Sequence, residues 1–245
     1  MRKLILTNKD TFPSAKILRN EMEEIFKEKF LVTKNENKKS YFLRFGNSHG
    51  DFSGEINSPS IIRLMSDKKR FSEFLLNRNI LTPKFHRDTE EINFPCVIRE
   101  SLLLSKGKGI HIVENKEDFF KLWEESFFWT EFIEFQYELR AHIVGGNMER
   151  LFIKKWNLEE IPKFPIKNSK TCKYILQDIS DEKRFKKLRI LINKIKDLLG
   201  TECFYALDIG YNKKIKDYYI IEGNTAPGLN KNTAGIYAKF FRDFL

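Results

Sequence analysis

Cysteine and histidine are scarce in this chain of 245 residues, which carries three of the first and four of the second. Cys96, Cys172 and Cys203 lie far apart and form no Cys-x-x-Cys pair, so neither a disulfide framework nor a thiolate metal site is indicated. Cys96 and Cys203 fall inside apolar runs, and all three thiols are expected to be reduced and structural. His49, His86, His111 and His142 never recur at i, i+4, which argues against zinc. Long hydrophobic runs are missing too, and nothing approaches the roughly 18 apolar residues of a membrane span. The opening Met1-Arg2-Lys3-Leu4-Ile5-Leu6 turns polar at Thr7-Asn8-Lys9-Asp10, too early for the core of a signal peptide. There is no internal repeat, no low-complexity segment, and no Ser-His or Cys-His arrangement that would mark a side-chain nucleophile. A soluble cytoplasmic protein without membrane contact is expected.

Apolar bulk and positive charge are abundant instead. Hydrophobic residues make up 41% of the chain and Phe alone supplies 23, enough to build one domain or two joined lobes rather than a disordered chain. Lys and Arg total 44 against 34 Asp and Glu, for a formal net charge of +10. Such a surface suits a nucleotide, a nucleic acid, an acidic peptide or an anionic lipid, and charge does not choose among them. No nucleic-acid motif accompanies the charge, so a basic nucleic-acid-binding module rests on electrostatics alone. A homodimer is the default expectation for the oligomeric state.

Periodicity divides the chain into three units, 1–64, 65–128 and 129–245. In the first, a strand at Lys3–Thr7 leads to a helix from about Pro13 with Ile17, Leu18, Met22, Ile25 and Phe26 on one face. A strand at Tyr41–Phe45 follows, and a loop from His49 to Pro59 closes the unit. The second unit opens with a helix capped by Ser66, with Asp67 in its first turn. Strands at Thr82–His86, Pro95–Glu100 and Ile110–Val113 come next, then a helix capped by Asn115. The third has a strand at Trp129–Glu134 and a hairpin, Leu139–Val144 and Met148–Trp156, turning at Gly145-Gly146-Asn147. Ser180 is placed as the cap of a long helix with Phe185, Leu188, Ile192, Ile195 and Leu199 inward and Gly200 at its end. Strands at Phe204–Tyr211 and Tyr218–Glu222 close the chain. This mixture predicts an α+β architecture of packed lobes.

The closing strands carry the chemistry. Asp208 lies within the apolar Tyr205-Ala206-Leu207-Asp208-Ile209, where an ionised carboxylate needs a cation or hydrogen bonds. Glu222 ends the next strand, and Asn224, two residues on, faces the same side. If the strands pair as a hairpin, Asp208 joins them, and three oxygen donors converge as magnesium prefers when it shares ligands with phosphate. Solvated strand ends are the plain alternative.

Ala206-Leu207-Asp208-Ile209 followed by Ile221-Glu222-Gly223-Asn224-Thr225-Ala226-Pro227-Gly228-Leu229 resembles the metal-binding end of the ATP-grasp superfamily. That pattern is Asp on one strand, then Glu-x-Asn-x-x-Pro-Gly after the next, as in ligases adding glutamate to ribosomal-protein tails and in D-alanine–D-alanine ligases. The resemblance spans about residues 60–232. It implies an ATP-grasp fold, two α+β subdomains gripping ATP behind a short N-terminal α/β lobe.

The same resemblance implies roles for other residues. Asp208, Glu222 and Asn224 would hold Mg2+. Lys68, which follows Asp67 at a helix start, would approach the phosphates of ATP. Most members have Lys where this chain has Arg99, which is similar to the subset, carbamoyl-phosphate synthetases among them, that uses Arg, and a guanidinium binds phosphate oxygens two-pronged. Ser105-Lys106-Gly107-Lys108-Gly109 is similar to the flexible loop over the phosphates, with Lys108 as a contact. Glu131, Phe132 and Ile133 would lie along the adenine, and Glu138 would bind ribose. Lys154, rather than its neighbour Lys155, would touch phosphate. Arg140 is left open between a substrate contact and a salt bridge. The implied chemistry joins a carboxylate to an amine through an acyl phosphate, with Arg99 and Lys154 stabilising the transferring phosphoryl group. An acidic peptide or other polyanion would suit the basic surface as substrate. A phosphotransferase, or a ligase with a different acceptor, is the nearest alternative on the same fold.

Overall fold

A computed structural model gives the architecture and describes residues 3–34, 42–48, 56–101, 109–125, 127–157, 172–181 and 183–244. Strands β1 (Lys3–Thr7), β2 (Phe30–Thr33) and β3 (Leu43–Phe45) form a parallel sheet in the order β2-β1-β3. Helix α1 (Phe12–Phe26) has Pro13 in its first turn, where a missing N–H costs nothing. Tyr41, the expected start of the second strand, lies outside the described residues, and β2 was not expected.

Where a closing loop and a single helix were expected, two helices stand in succession, α2 (Pro59–Ser66) and α3 (Lys68–Leu76). Ser58 caps α2 by accepting the Ile61 N–H, and Asp67 caps α3 by accepting the Arg70 N–H. Ser66 therefore ends a helix instead of starting one, its hydroxyl donating to the Ile62 carbonyl. The carboxylate of Asp67 is the better cap because its charge also meets the positive end of the helix dipole.

Strands β4 (Cys96–Arg99), β5 (Ile110–Val113) and β6 (Phe128–Glu131) make a small antiparallel sheet in the order β5-β4-β6. Helix α4 (Lys116–Leu122), capped by the Asn115 side chain as expected, covers it. Cys96, Ile98, Val113, Phe119 and Trp129 form its core. No strand forms over 82–86: only His86 bridges to Trp129, and Pro83 has no N–H for a ladder.

The large antiparallel sheet contains β7 (Tyr137–Val144), β8 (Asn147–Trp156), β9 (Cys172–Leu176), β10 (Phe204–Asn212) and β11 (Asp217–Asn224), in the order β11-β10-β7-β8-β9. Gly145 and Gly146 turn the β7–β8 hairpin with φ of 59° and 77°, and a Cβ on Gly145 would strike the Phe240 ring. Helix α5 (Lys186–Leu199) ends at Gly200 with φ of 79°. It begins one turn later than expected. Ser180 is not its cap; its N–H donates to Asp178, and the Asp181 carboxylate accepts the Arg184 N–H in a separate turn.

Alternation gives the large sheet two unlike faces. Leu139, Ala141, Ile143, Leu151, Leu207 and Ile209 pack on Leu188, Ile192 and Ile195 of α5 and on Phe71 and Leu75 of α3. The opposite face carries charge. A last helix, α6 (Lys231–Phe244), runs beside α1, and its Ala234, Tyr237, Ala238 and Phe241 share a core with Ile5, Leu18 and Phe45. Cys96, Cys172 and Cys203 are buried, and no disulfide joins any two of them. Burial, with Glu202 adding to it, pushes the Cys203 thiol up to about 12, as befits a small apolar side chain. Among the described residues, no helix is long and apolar enough to cross a membrane.

Candidate active site

Register places five charged side chains on one face of the large sheet. Glu222 on β11 stands opposite Asp208 on β10, which stands opposite Arg140 on β7. One pair further along the same face, Glu138 stands opposite Lys154 on β8. Asn224 shares that face of β11, so the hairpin does bring Asp208, Glu222 and Asn224 to one side.

Short contacts bind the centre of this array. Arg140 Nε and Nη2 donate to Asp208 Oδ1 and Oδ2 at 2.7 and 2.8 Å, a two-pronged pair. Lys154 Nζ donates to Asp208 Oδ2 at 2.7 Å and lies 3.5 Å from Glu138 Oε2. Lys154 is the buried member of its pair, and Lys155 is exposed. Burial alone would raise the Asp208 pKa, but Lys154 and Arg140 override it and hold the carboxyl well below its usual range. The same attraction outweighs burial at Lys154 and Arg140 and raises both.

Two further cations reach the array from other elements. Lys68 Nζ, at the start of α3, is 3.6 Å from Glu222 Oε2. Arg99 ends β4 in the small sheet, where burial lowers its pKa and Glu222 counters the shift. Its buried Nε has no hydrogen-bond partner among the described residues. A buried N–H of a cation without an acceptor is costly, and an anion entering between the sheets would satisfy it. Four cations thus surround three carboxylates, a balance that favours a polyanion.

The donor set fits magnesium shared with phosphate. Among the described residues, no group of three His, Cys, Asp or Glu is placed to hold a metal ion by itself, so the candidate set is two carboxylates and an amide oxygen, and magnesium would take its remaining ligands from phosphate and water. Among the described residues, Asp208 Oδ1 accepts from Arg140 alone and Asn224 Oδ1 only from the Ala226 N–H, so each keeps a lone pair. With Glu222 they offer three hard oxygen ligands.

The remaining expected contacts are placed as follows. Glu131 ends β6, and the Phe132 N–H donates to the Pro95 carbonyl at 3.1 Å. Residues 132–136 then cross irregularly from the small sheet to the large one, with Ile133 half-buried midway. Lys108 and most of its loop lie outside the described residues. Two neighbours of the array had not been expected. Tyr174, on β9, lies under the Arg140 guanidinium at 5.1 Å from its ring centre. His142, one position along β7 on the charged face, has Nδ1 2.8 Å from the Tyr237 hydroxyl. Burial and then Arg140 push His142 down to about 4, with Asp208 opposing, so it is neutral at pH 7.

No family model matches the chain. The carbamoyl-phosphate synthase of Methanobrevibacter smithii is 24% identical over 185 residues, 68% of this chain and 47% of that protein. The chain therefore spans about half the length of the curated relative it matches. A D-alanine–D-alanine ligase from Bacillus anthracis, solved with ATP, aligns at a TM-score of 0.67 and 16% identity, over 99% of this chain and 94% of that one. A RiPP-associated ATP-grasp ligase from Chryseobacterium gregarium, solved with ADP and a leader and core peptide, aligns at 0.64 and 13% identity, over 100% and 98%. The order of strands, the polar sheet face and these alignments agree: the chain has the ATP-grasp fold.

Proposed function

We propose that the chain is an ATP- and magnesium-dependent ligase that joins a carboxylate to an amine through an acyl phosphate. The observation that carries this reading is the array itself: Asp208, Glu222 and Asn224 on one hairpin face, with Lys154, Arg140, Lys68 and Arg99 around them, the Arg99 Nε lacking a partner among the described residues. The fold and the names of the aligned ligases support it. In this reading Asp208, Glu222 and Asn224 would hold Mg2+, which when bound would neutralise phosphate charge.

Arg99, Lys68 and Lys154 bind and orient the phosphates of ATP. Residues 131–133 meet the adenine through backbone groups. Glu138, already turned toward Lys154, accepts from the ribose. A substrate carboxylate oxygen attacks the terminal phosphorus, ADP leaves, and an amine then attacks the acyl carbon and expels phosphate. No side-chain nucleophile enters. Cytoplasmic location and a homodimer belong to the same proposal.

Magnesium and ATP together should stabilise the native chain by mass action, by about 2.7 kcal/mol at a hundred times Kd. For a chain of this length that is a rise in Tm of roughly 5–10 °C, read by differential scanning fluorimetry. An unchanged Tm at millimolar ATP and magnesium would remove the nucleotide from this account.

A further inference from the structure

Residues 183–216 contain ten Lys and Arg against Asp197, Glu202 and the buried Asp208, although Asp181, Glu182 and Asp217 lie at the ends. The stretch is strongly basic between those acidic ends, and one of its acidic residues, Asp208, is buried on the other side of the sheet. Lys183, Arg184, Lys186, Lys187 and Lys194 on and before α5, and Lys213, Lys214 and Lys216 in the β10–β11 turn, are exposed. Lys187 Nζ donates to the Lys216 carbonyl at 2.9 Å, which ties helix and turn into one surface. Two large apolar side chains stand within it: Ile190 is 50% and Ile215 51% exposed. Lys186, Ile190 and Lys194 follow one another at i, i+4, i+8 along a single stripe.

We propose that this surface docks an acidic polypeptide segment with interspersed apolar residues. Charge complementarity sets the sign of the partner, and the exposed isoleucines give it a dry contact that water alone does not reward. Nucleic acid fits less well, because no exposed aromatic ring stands among these lysines to stack a base. A lipid surface fits less well too. The apolar face of α5, Leu188, Ile192 and Ile195, is already spent on the core, and Ile190 alone cannot seat a helix in a bilayer. The surface lies behind the sheet, on the side away from Asp208. The inference is thus independent of the ligase reading, and its readout needs no nucleotide.

The test is fluorescence anisotropy with a labelled peptide of about a dozen residues alternating Glu and Leu, run on the whole chain. Lys186→Glu, Lys194→Glu and Lys213→Glu together should weaken binding roughly tenfold or more, with far-UV circular dichroism unchanged. Ile190→Ser alone should weaken it severalfold. No peptide binding, binding indifferent to Ile190→Ser, or tighter binding of a single-stranded RNA or of phosphatidylserine vesicles would each overturn the proposal.

Discussion

Asp208→Asn should lower the stability of the chain by about 3 kcal/mol in urea unfolding at pH 7. The substitution is nearly isosteric, so packing changes little. What changes is charge: Arg140 and Lys154 lose the carboxylate both now contact. Lys154 keeps Glu138 at 3.5 Å, but among the described residues Arg140 keeps no carboxylate in ion-pair contact, with Glu222 acting on it only at longer range, and a buried cation left without its counter-ion is the costly outcome. The wild-type pair also ties stability to pH. The native pKa of Asp208 is depressed, so its contribution is complete above the unfolded carboxylate value of about 4. It is lost as pH falls from there toward the native value. Asp208→Asn should therefore be less stable at neutral pH and flatter in acid. Equal stability of the two proteins at pH 7 would mean that Asp208 does not pair with Arg140 and Lys154.

Glu222→Gln should reduce magnesium-dependent ATP turnover by roughly a hundredfold or more while leaving the unfolding curve almost unchanged. Glu222 is half-exposed at the end of β11 and its near partner is Lys68, so the fold loses little when it is neutralised. A magnesium site, by contrast, loses one of two charged ligands. Both substitutions should lower turnover, but only Asp208→Asn should shift unfolding, although the two residues are direct cross-strand neighbours. Near-normal turnover in Glu222→Gln would exclude this hairpin as the metal site.

The elements that were legible share a local signal. The β10–β11 hairpin has apolar runs with a carboxylate at a defined place, and α5 repeats its buried residues at three and four from Leu188 to Ile195. Gly145-Gly146 announces its turn because both positions need positive φ. The elements not foreseen depend on distant partners. The strand β9 exposes most of its side chains and is a strand only because β8 pairs with it. Helix α6 does carry the right spacing in Ala234, Tyr237, Ala238 and Phe241, but what it covers is α1, at the other end of the chain. At the site, the strand expected at Leu139–Val144 was enough to put Arg140 on the sheet, but that Glu138 shares its face emerges only because β7 begins at Tyr137. The choice at Arg140 between a substrate or phosphate contact and a salt bridge was not legible, because it turns on the register that sets Arg140 against Asp208.

The most direct test of the ligase reading follows heavy oxygen from a labelled carboxylate substrate. Purified protein is given magnesium and ATP with pools of amino acids and short peptides, supplied as carboxylate pool, amine pool, or both. Where a productive pair is present, ADP should accumulate, an amide product should appear, and one labelled oxygen should be found in the released phosphate. That transfer requires the carboxylate to have been joined to the terminal phosphoryl group before the amine arrived. Amide formation with unlabelled phosphate, or ADP release that needs neither pool and makes no amide, would contradict the account.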